Sequence, residues 1–127
     1  MATTLLFDSS AFILYFNDAV SIDFITLITQ AVEEGTAALS VITRAEVLAW
    51  PSHTVESIQT ALEGMASFEL FDVNAATADE AARIRRQHNI KLPDALIAAT
   101  ATLNRLSVVT ANFSDFERVG GLTVLRF

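Results

Sequence analysis

Four short runs of β-forming, largely apolar residues punctuate this chain, and each is followed by one or two stretches of helical periodicity. The runs are Thr3–Phe7, Thr36–Ile42, Phe68–Val73 and Leu106–Thr110. Thr3–Phe7 and Ala37–Ile42 are almost continuously apolar, as strands covered on both faces are. Strands that alternate with helices are joined by crossovers, and crossovers leave neighbouring strands parallel. The pattern predicts an α/β fold with a mostly parallel sheet of four to five strands, Leu122–Leu125 being the short last one.

The helical stretches fill the gaps. Ser9–Phe16 and Ser21–Glu34 come first, the second with an apolar stripe of Ile22, Phe24, Ile25, Ile28 and Val32 and a stop at Gly35. A short helix from Thr43 is ended by Pro51. Ser52–Met65 carries Val55, Ile58, Leu62 and Met65 on one side. Asn74 caps Ala75–His88, and Asn89 is placed to end that helix in a left-handed turn. Leu92-Pro93 opens a helix over Asp94–Asn104. Ala95 to Ala101 is apolar nearly all round, which predicts a central, buried helix. Asn112–Arg118 reads as a turn or short helix.

At 127 residues, 52% apolar and 18% charged, the chain is expected to form one domain over residues 1–127 with a substantial core. It has no cysteine, which excludes disulfides and thiolate metal sites and is compatible with a reducing cytoplasm. Met1–Thr4 carries no Lys or Arg and runs directly into a strand, which is not a signal-peptide layout. No uninterrupted apolar run reaches about 18 residues, so no membrane span is expected. Together these point to a cytoplasmic protein.

Net charge is −7, from 15 acids and 8 bases, which is poor for general nucleic-acid binding. Bound divalent cations and a local basic patch would offset it. One such patch exists: Arg83, Arg85, Arg86 and Lys91, with His88, fall within nine residues just before Asp94. These cations can draw in a phosphate backbone, or simply complement a helix C-terminus.

The placement of acids is the functional signal. Asp8 follows the first strand, Glu46 lies one turn into the helix after the second, Asp94 is in the first turn of the buried helix, and Asp115 follows the fourth strand. In an open parallel sheet, ligands bind beyond the carboxyl ends of the strands. A carboxylate-only cluster there is a site for a hard divalent cation, Mg²⁺ or Mn²⁺. Such an ion lowers the pKa of its water, orients a phosphate oxygen and stabilises a leaving oxyanion. No side-chain nucleophile is evident, and His53 and His88 lie far from these motifs. Ser9 and Thr110 are placed to hydrogen-bond the acids or a metal-bound water, and Ser10 to assist.

Each acid also has a local alternative. Asp8 can N-cap the next helix. Thr43-Arg44-Ala45-Glu46 fits a capping box, which favours capping over catalysis when Glu46 is taken alone. Asp94 can complement a helix dipole. Asp115 can cap a short helix, with Asn112 holding a turn. Jointly the local readings are weaker, because Ser, Thr or Asn would serve at every junction. An aspartyl-phosphate chemistry is disfavoured: Ser10 stands where a dehalogenase-like site needs a second Asp, and Lys91 is the only lysine.

Four segments carry a family resemblance: Leu6–Ile13, Ser40–Leu48, Ile90–Ala99 and Val109–Phe116. In their order and spacing the chain resembles a PIN domain, most closely a VapC-type toxin of bacterial toxin–antitoxin pairs. The resemblance implies a three-layer α/β/α fold. It also implies a Mg²⁺- or Mn²⁺-dependent endoribonuclease that uses a metal-activated water and leaves 5′-phosphate and 3′-hydroxyl ends. By position, Asp8, Glu46, Asp94 and Asp115 would be the catalytic and metal-binding acids, supported by Ser9, Thr110 and Asn112. Arg83, Arg85, Arg86 and Lys91 are the candidate RNA contacts. A homodimer and an inhibiting cognate antitoxin are the implied partners. Ala111 departs from the family, standing where an Arg is common in the Thr-x-Asn motif. That removes a phosphate-binding cation and no acid. A non-catalytic module on the same fold, binding RNA or protein, is the competing expectation.

Overall fold

The computed structural model describes residues 3–16 and 21–126, with the side chains of all of these except Tyr15 and Phe16. Among the described residues, five strands form one sheet: β1 (Leu5–Phe7), β2 (Ala37–Ser40), β3 (Glu69–Phe71), β4 (Ser107–Thr110) and β5 (Val124–Arg126). Their order is β3-β2-β1-β4-β5, and every neighbouring pair is parallel. The helices between them are α1 (Ser9–Phe16), α2 (Ile22–Glu34), α3 (Val41–Leu48), α4 (Val55–Met65), α5 (Ala75–Gln87), α6 (Leu92–Asn104) and α7 (Phe113–Phe116). None of them is long and apolar enough to cross a membrane.

Strand alternation divides the interior into two layers. Leu6, Ala38 and Val108 point to one face, packing with Ala81 and Ile84 of α5, Ala95, Ile97 and Ala98 of α6 and Phe116 of α7. Phe7, Leu39 and Val109 point to the other, against Phe12, Phe24, Ile28, Val47 and Met65 from α1 to α4. The result is α/β/α. α6 is buried along most of its length, as its apolar run requires, and β2 and β4 are buried at every position.

Several boundaries differ from the sequence reading. β2 stops at Ser40, whose hydroxyl accepts the Ile42 N–H at 3.0 Å and caps α3. Thr43 is therefore inside the helix, and Thr43–Glu46 is not a capping box. The box in this region is one element later, where Thr54 and Ser57 open α4. Asn89 is not left-handed; among the described residues the positive φ outside glycine belongs to Arg105 (56°), which ends α6. The apolar stripes overrun the core: Phe24 and Ile28 are buried, but Ile22 is 81% and Val55 88% exposed.

Candidate metal centre

The chain turns back on itself at β1. Successive strands first step from β1 to β2 and β3, and then β4 is placed on the opposite side of β1. Between β1 and β4 lies the switch point where such sheets open a crevice at their carboxyl end. The register pairs Phe7 with Val109, so the next residues, Asp8 and Thr110, face each other at that crevice. Asp8 is only 4% exposed. Its Oδ1 accepts from the Ser10 hydroxyl at 2.5 Å and from the Ala11 N–H at 3.3 Å, and its Oδ2 from the Thr110 hydroxyl at 2.5 Å. Both hydroxyls are fixed in turn, Ser10 by the Ala111 N–H and Thr110 by the Asn112 N–H. Burial still raises the Asp8 pKa, more than these hydrogen bonds lower it.

Helix directions bring the other acids to the same rim. α3 leaves the end of β2, and α6 runs into β4, so its N-terminal turn starts at the carboxyl edge of the sheet. Burial raises Asp94, in that turn, to about 6; Asp8, Glu46 and Asp115 add repulsion, which Lys91 opposes. All four acids therefore share one electrostatic neighbourhood. Glu46 is raised by burial and by Asp8, while a hydrogen bond from Ser9 pulls the other way. Asp115 accepts from the Asn112 amide at 2.6 Å, and its other oxygen is 3.7 Å from Arg118.

Two buried side-chain oxygens among the described residues have no hydrogen-bond partner, Thr43 Oγ1 and Glu46 Oε1. They lie on the same face of α3, three residues apart. An unpaired buried acceptor costs about 1–3 kcal/mol, and native proteins rarely leave one without a ligand or water. Here it belongs to a carboxylate, beside three others. The donor set is all hard oxygen, which fits Mg²⁺ or Mn²⁺.

Among the described residues, no three of these side chains already stand as a ligand cage. Asp8 and Asp115 are turned toward their hydrogen-bond donors. Mg²⁺ does not need such a cage, since it keeps several waters and is commonly held by one or two carboxylates. Asp8, Glu46 and Asp94 would be the direct holders, with Asp115 at the margin.

The supporting residues sort cleanly. Thr110 bonds Asp8 and Asn112 bonds Asp115, while Ser9 acts on Glu46 by lowering its pKa. Ser10, a secondary expectation, is as close to Asp8 as Thr110 is. The basic residues divide. Arg83 is gripped by Glu80 and donates to Gln87 at 3.0 Å, so its fork is engaged. Arg85 and Arg86 are exposed around a cavity of about 320 Å³, and Lys91 is exposed just before Asp94. Ala111 contributes only its backbone. Sequence reasoning missed Thr43, read as a cap, and Arg118, whose sole signal was its spacing three residues from Asp115. His53 is structural: it stacks on Trp50 and bonds Ser57 and the Val47 carbonyl, each at 2.8 Å.

The sequence model of the PIN domain matches residues 5–122. Among solved structures, a chain of a toxin–antitoxin complex from Klebsiella pneumoniae is 29% identical with a TM-score of 0.77, over 96% of this chain and 96% of that one. The structure of VapBC2 from Rickettsia felis, bound to a DNA fragment from their promoter, gives a TM-score of 0.84 at 20% identity over 98% of each chain. The structure of FitAcB from Neisseria gonorrhoeae gives 0.80 at 21% over 97% of each. The last two likenesses bear on the fold alone. No protein with curated annotation matches in sequence. A parallel sheet with an acidic switch point, matched by that family model over nearly its whole length, places the chain in the PIN domain family.

Proposed function

We propose that this protein is a VapC-like endoribonuclease that hydrolyses RNA phosphodiester bonds with a divalent ion, Mg²⁺ or Mn²⁺, and that a cognate antitoxin inhibits it. The PIN family is a family of nucleases, and the likeness to a chain of the Klebsiella pneumoniae toxin–antitoxin complex supports the toxin class. The observation that carries the reading is the unpaired Glu46 Oε1, buried within reach of the fields of Asp8 and Asp94. A carboxylate oxygen left without a donor among other carboxylates is an oxygen waiting for a cation.

When bound, the ion supplies Lewis acidity toward a phosphodiester and orients water for attack. The chain's own residues do the positioning. Thr110 and Ser10 hold the Asp8 carboxylate in one orientation at the β1–β4 crevice. Ser9 orients Glu46, and Asn112 orients Asp115. Arg85, Arg86 and Lys91 are proposed to contact the RNA backbone.

The apolar groove between α2 and α4, about 350 Å³ and lined by Phe12, Ile28, Val32 and Phe68, together with exposed Ile22, Ile25 and Val55, supports a protein partner such as the antitoxin. A homodimer and a cytoplasmic location belong to the same proposal. A non-catalytic module is disfavoured, because a binding surface gains nothing from a half-buried Asp94 repelled by three other acids.

The test is incubation of total bacterial RNA with purified protein and Mn²⁺, beside Asp94→Asn, with cut ends mapped by sequencing. Discrete cuts bearing 5′-phosphates, absent with the variant, are expected. Equal cutting by both proteins would refute the assignment of the site, and no cutting by a folded wild type would favour the interaction module.

A further inference from the structure

We propose that Arg118 is a phosphate-binding residue, and that the RNA backbone leaves the acidic rim across Arg118 toward the basic cavity of residues 85–90. This rests on the nuclease reading and adds the direction of the substrate path.

The guanidinium of Arg118 spans two features. One nitrogen, Nη1, donates to the Asn89 carbonyl at 3.1 Å, and Asn89 is in the wall of the cavity that Arg85, Arg86 and His88 also line. The other, Nη2, is 3.7 Å from Asp115 Oδ1, beyond hydrogen-bond distance. The side chain is 46% exposed. One donor is therefore fixed to the backbone while the rest of the fork faces solvent at the edge of the acid cluster. An arginine anchored in this way has already lost most of its rotamer freedom, and its planar fork matches a phosphate bidentately.

Elimination of the other cations points the same way. Seven of the eight Lys and Arg residues, but only three of the fifteen acids, lie from Arg83 onward, in the end of α5 and in α6, β4, α7 and β5; the earlier part of α5 adds Asp79 and Glu80. Before Arg83 the only base is Arg44. A polyanion is thus repelled from the side of the centre built by α1, α2 and α4 and attracted to the other. On the attractive side, Arg83 is engaged by Glu80 and Arg126 lies over the Phe113 ring. Arg105 ends α6, at the edge of the sheet opposite the acids, about 16 Å along the helix from Asp94. Arg85, Arg86, Lys91 and Arg118 remain, and Arg118 is the one within ion-pair distance of a rim acid among the described residues.

The alternative is a purely structural clamp that steadies residues 88–90 and neutralises Asp115. Salt dependence separates the two. Binding of a short fluorescent single-stranded RNA of mixed sequence is followed by anisotropy, with Ca²⁺ in place of Mn²⁺ to keep it uncut. A phosphate contact contributes about 0.7 to the slope of log affinity against log salt. Arg118→Gln is expected to lower the slope by about that amount and to weaken binding about tenfold at low salt. The rise in melting temperature produced by Mn²⁺ should stay unchanged. Arg105→Asn, which removes the same charge at a site where Asn tolerates the left-handed backbone, is expected to leave the slope alone.

An unchanged slope in folded Arg118→Gln overturns the proposal, and so does an equal loss in Arg105→Asn. If Arg118→Gln does not fold, Arg118→Lys decides: a retained slope with affinity lowered several-fold supports the fork contact, and wild-type affinity overturns it. A wild type that binds with the full slope yet never cleaves with Mn²⁺ would sink the nuclease reading and leave the Arg118 contact supported. A wild type that binds no RNA overturns both.

Discussion

Replacing Asp94 with Asn is expected to stabilise the metal-free protein while removing its response to metal. Asp94 is raised from 3.8 to about 6, first by burial and then by Asp8, Glu46 and Asp115. A shift of about 2 units corresponds to about 3 kcal/mol against the ionised form. The residue is only half-buried, so solvent screening reduces this to about 2 kcal/mol. The amide also forfeits a favourable charge in the first turn of α6, about 0.5 kcal/mol. Burial and repulsion together win, leaving a net gain of about 1–1.5 kcal/mol at neutral pH. With an unfolding entropy of about 2.1 cal/mol/K per residue over 127 residues, that is about 4–6 °C in melting temperature. The sign follows from linkage. An acid whose folded pKa is raised contributes stability below its unfolded pKa, near 4, and loses that contribution as pH rises through about 6. The advantage of Asp94→Asn should therefore be full at about pH 7.5 and roughly halved at about pH 5. Thermal unfolding followed by calorimetry in EDTA at the two pH values measures it. Saturating Mn²⁺ should then raise the melting temperature of the wild type and barely move the variant. The reasoning is refuted if the variant is the less stable protein in EDTA at neutral pH, or if its advantage does not depend on pH.

Three further outcomes are expected. Thr110→Val deprives buried Asp8 Oδ2 of its donor and should cost about 1.5–3 kcal/mol in urea unfolding; no loss would mean that the short hydroxyl contact holds nothing. Ser9→Ala should lower Mn²⁺ affinity, read by calorimetric titration, while leaving the urea midpoint almost unchanged, because its partner Glu46 is in the site and not in the core. A comparable loss in both would make Ser9 a structural residue. Mn²⁺ affinity should fall by about tenfold per pH unit below about 6, as Asp94 protonates in competition with the ion; a flat profile between about pH 7 and 5 would exclude Asp94 as a holder.

The layers and the strand directions were legible because they rest on apolar periodicity, which burial enforces along whole elements. The four acids were legible because each sits at the carboxyl end of a strand or in the opening turns of a helix that begins there, and the crossover topology brings all those places to one rim. Local capping was the weaker guide. Thr43 and Glu46 match a capping box in spacing, yet Ser40 takes the cap because β2 ends two residues earlier than its apolar run. Val41 and Ile42 suit a strand by type, but α3 claims them for helix packing. The same competition hides Thr43, whose buried hydroxyl is visible only once the helix phase is known. The basic run was half legible. Its four cations look alike in sequence, and the fold separates them: Glu80, one turn before Arg83, engages that arginine, Arg85 is anchored through Nε to the Ile90 carbonyl at 3.1 Å, and Arg86 and Lys91 are exposed.

Net charge was the feature that argued against a nuclease, and it does so only as an average. At physiological ionic strength a charge is felt over about 8 Å, so an RNA strand responds to the face it approaches and not to the sum of −7. The acids of α2 and α4 lie across the sheet from α5 and α7, beyond that range and shielded by salt. On the α5–α7 side a strand bound as proposed would meet Arg85, Arg86, Lys91 and Arg118, and then the rim, where a divalent ion would reverse the sign of the carboxylate field. An excess of acids is then compatible with a polyanionic substrate and also useful: it denies the strand every approach except the one that ends at Asp8, Glu46 and Asp94. The acids that add to burial in raising Asp94 to about 6 would also make occupancy of the proposed site selective, since a cation relieves their share of that cost.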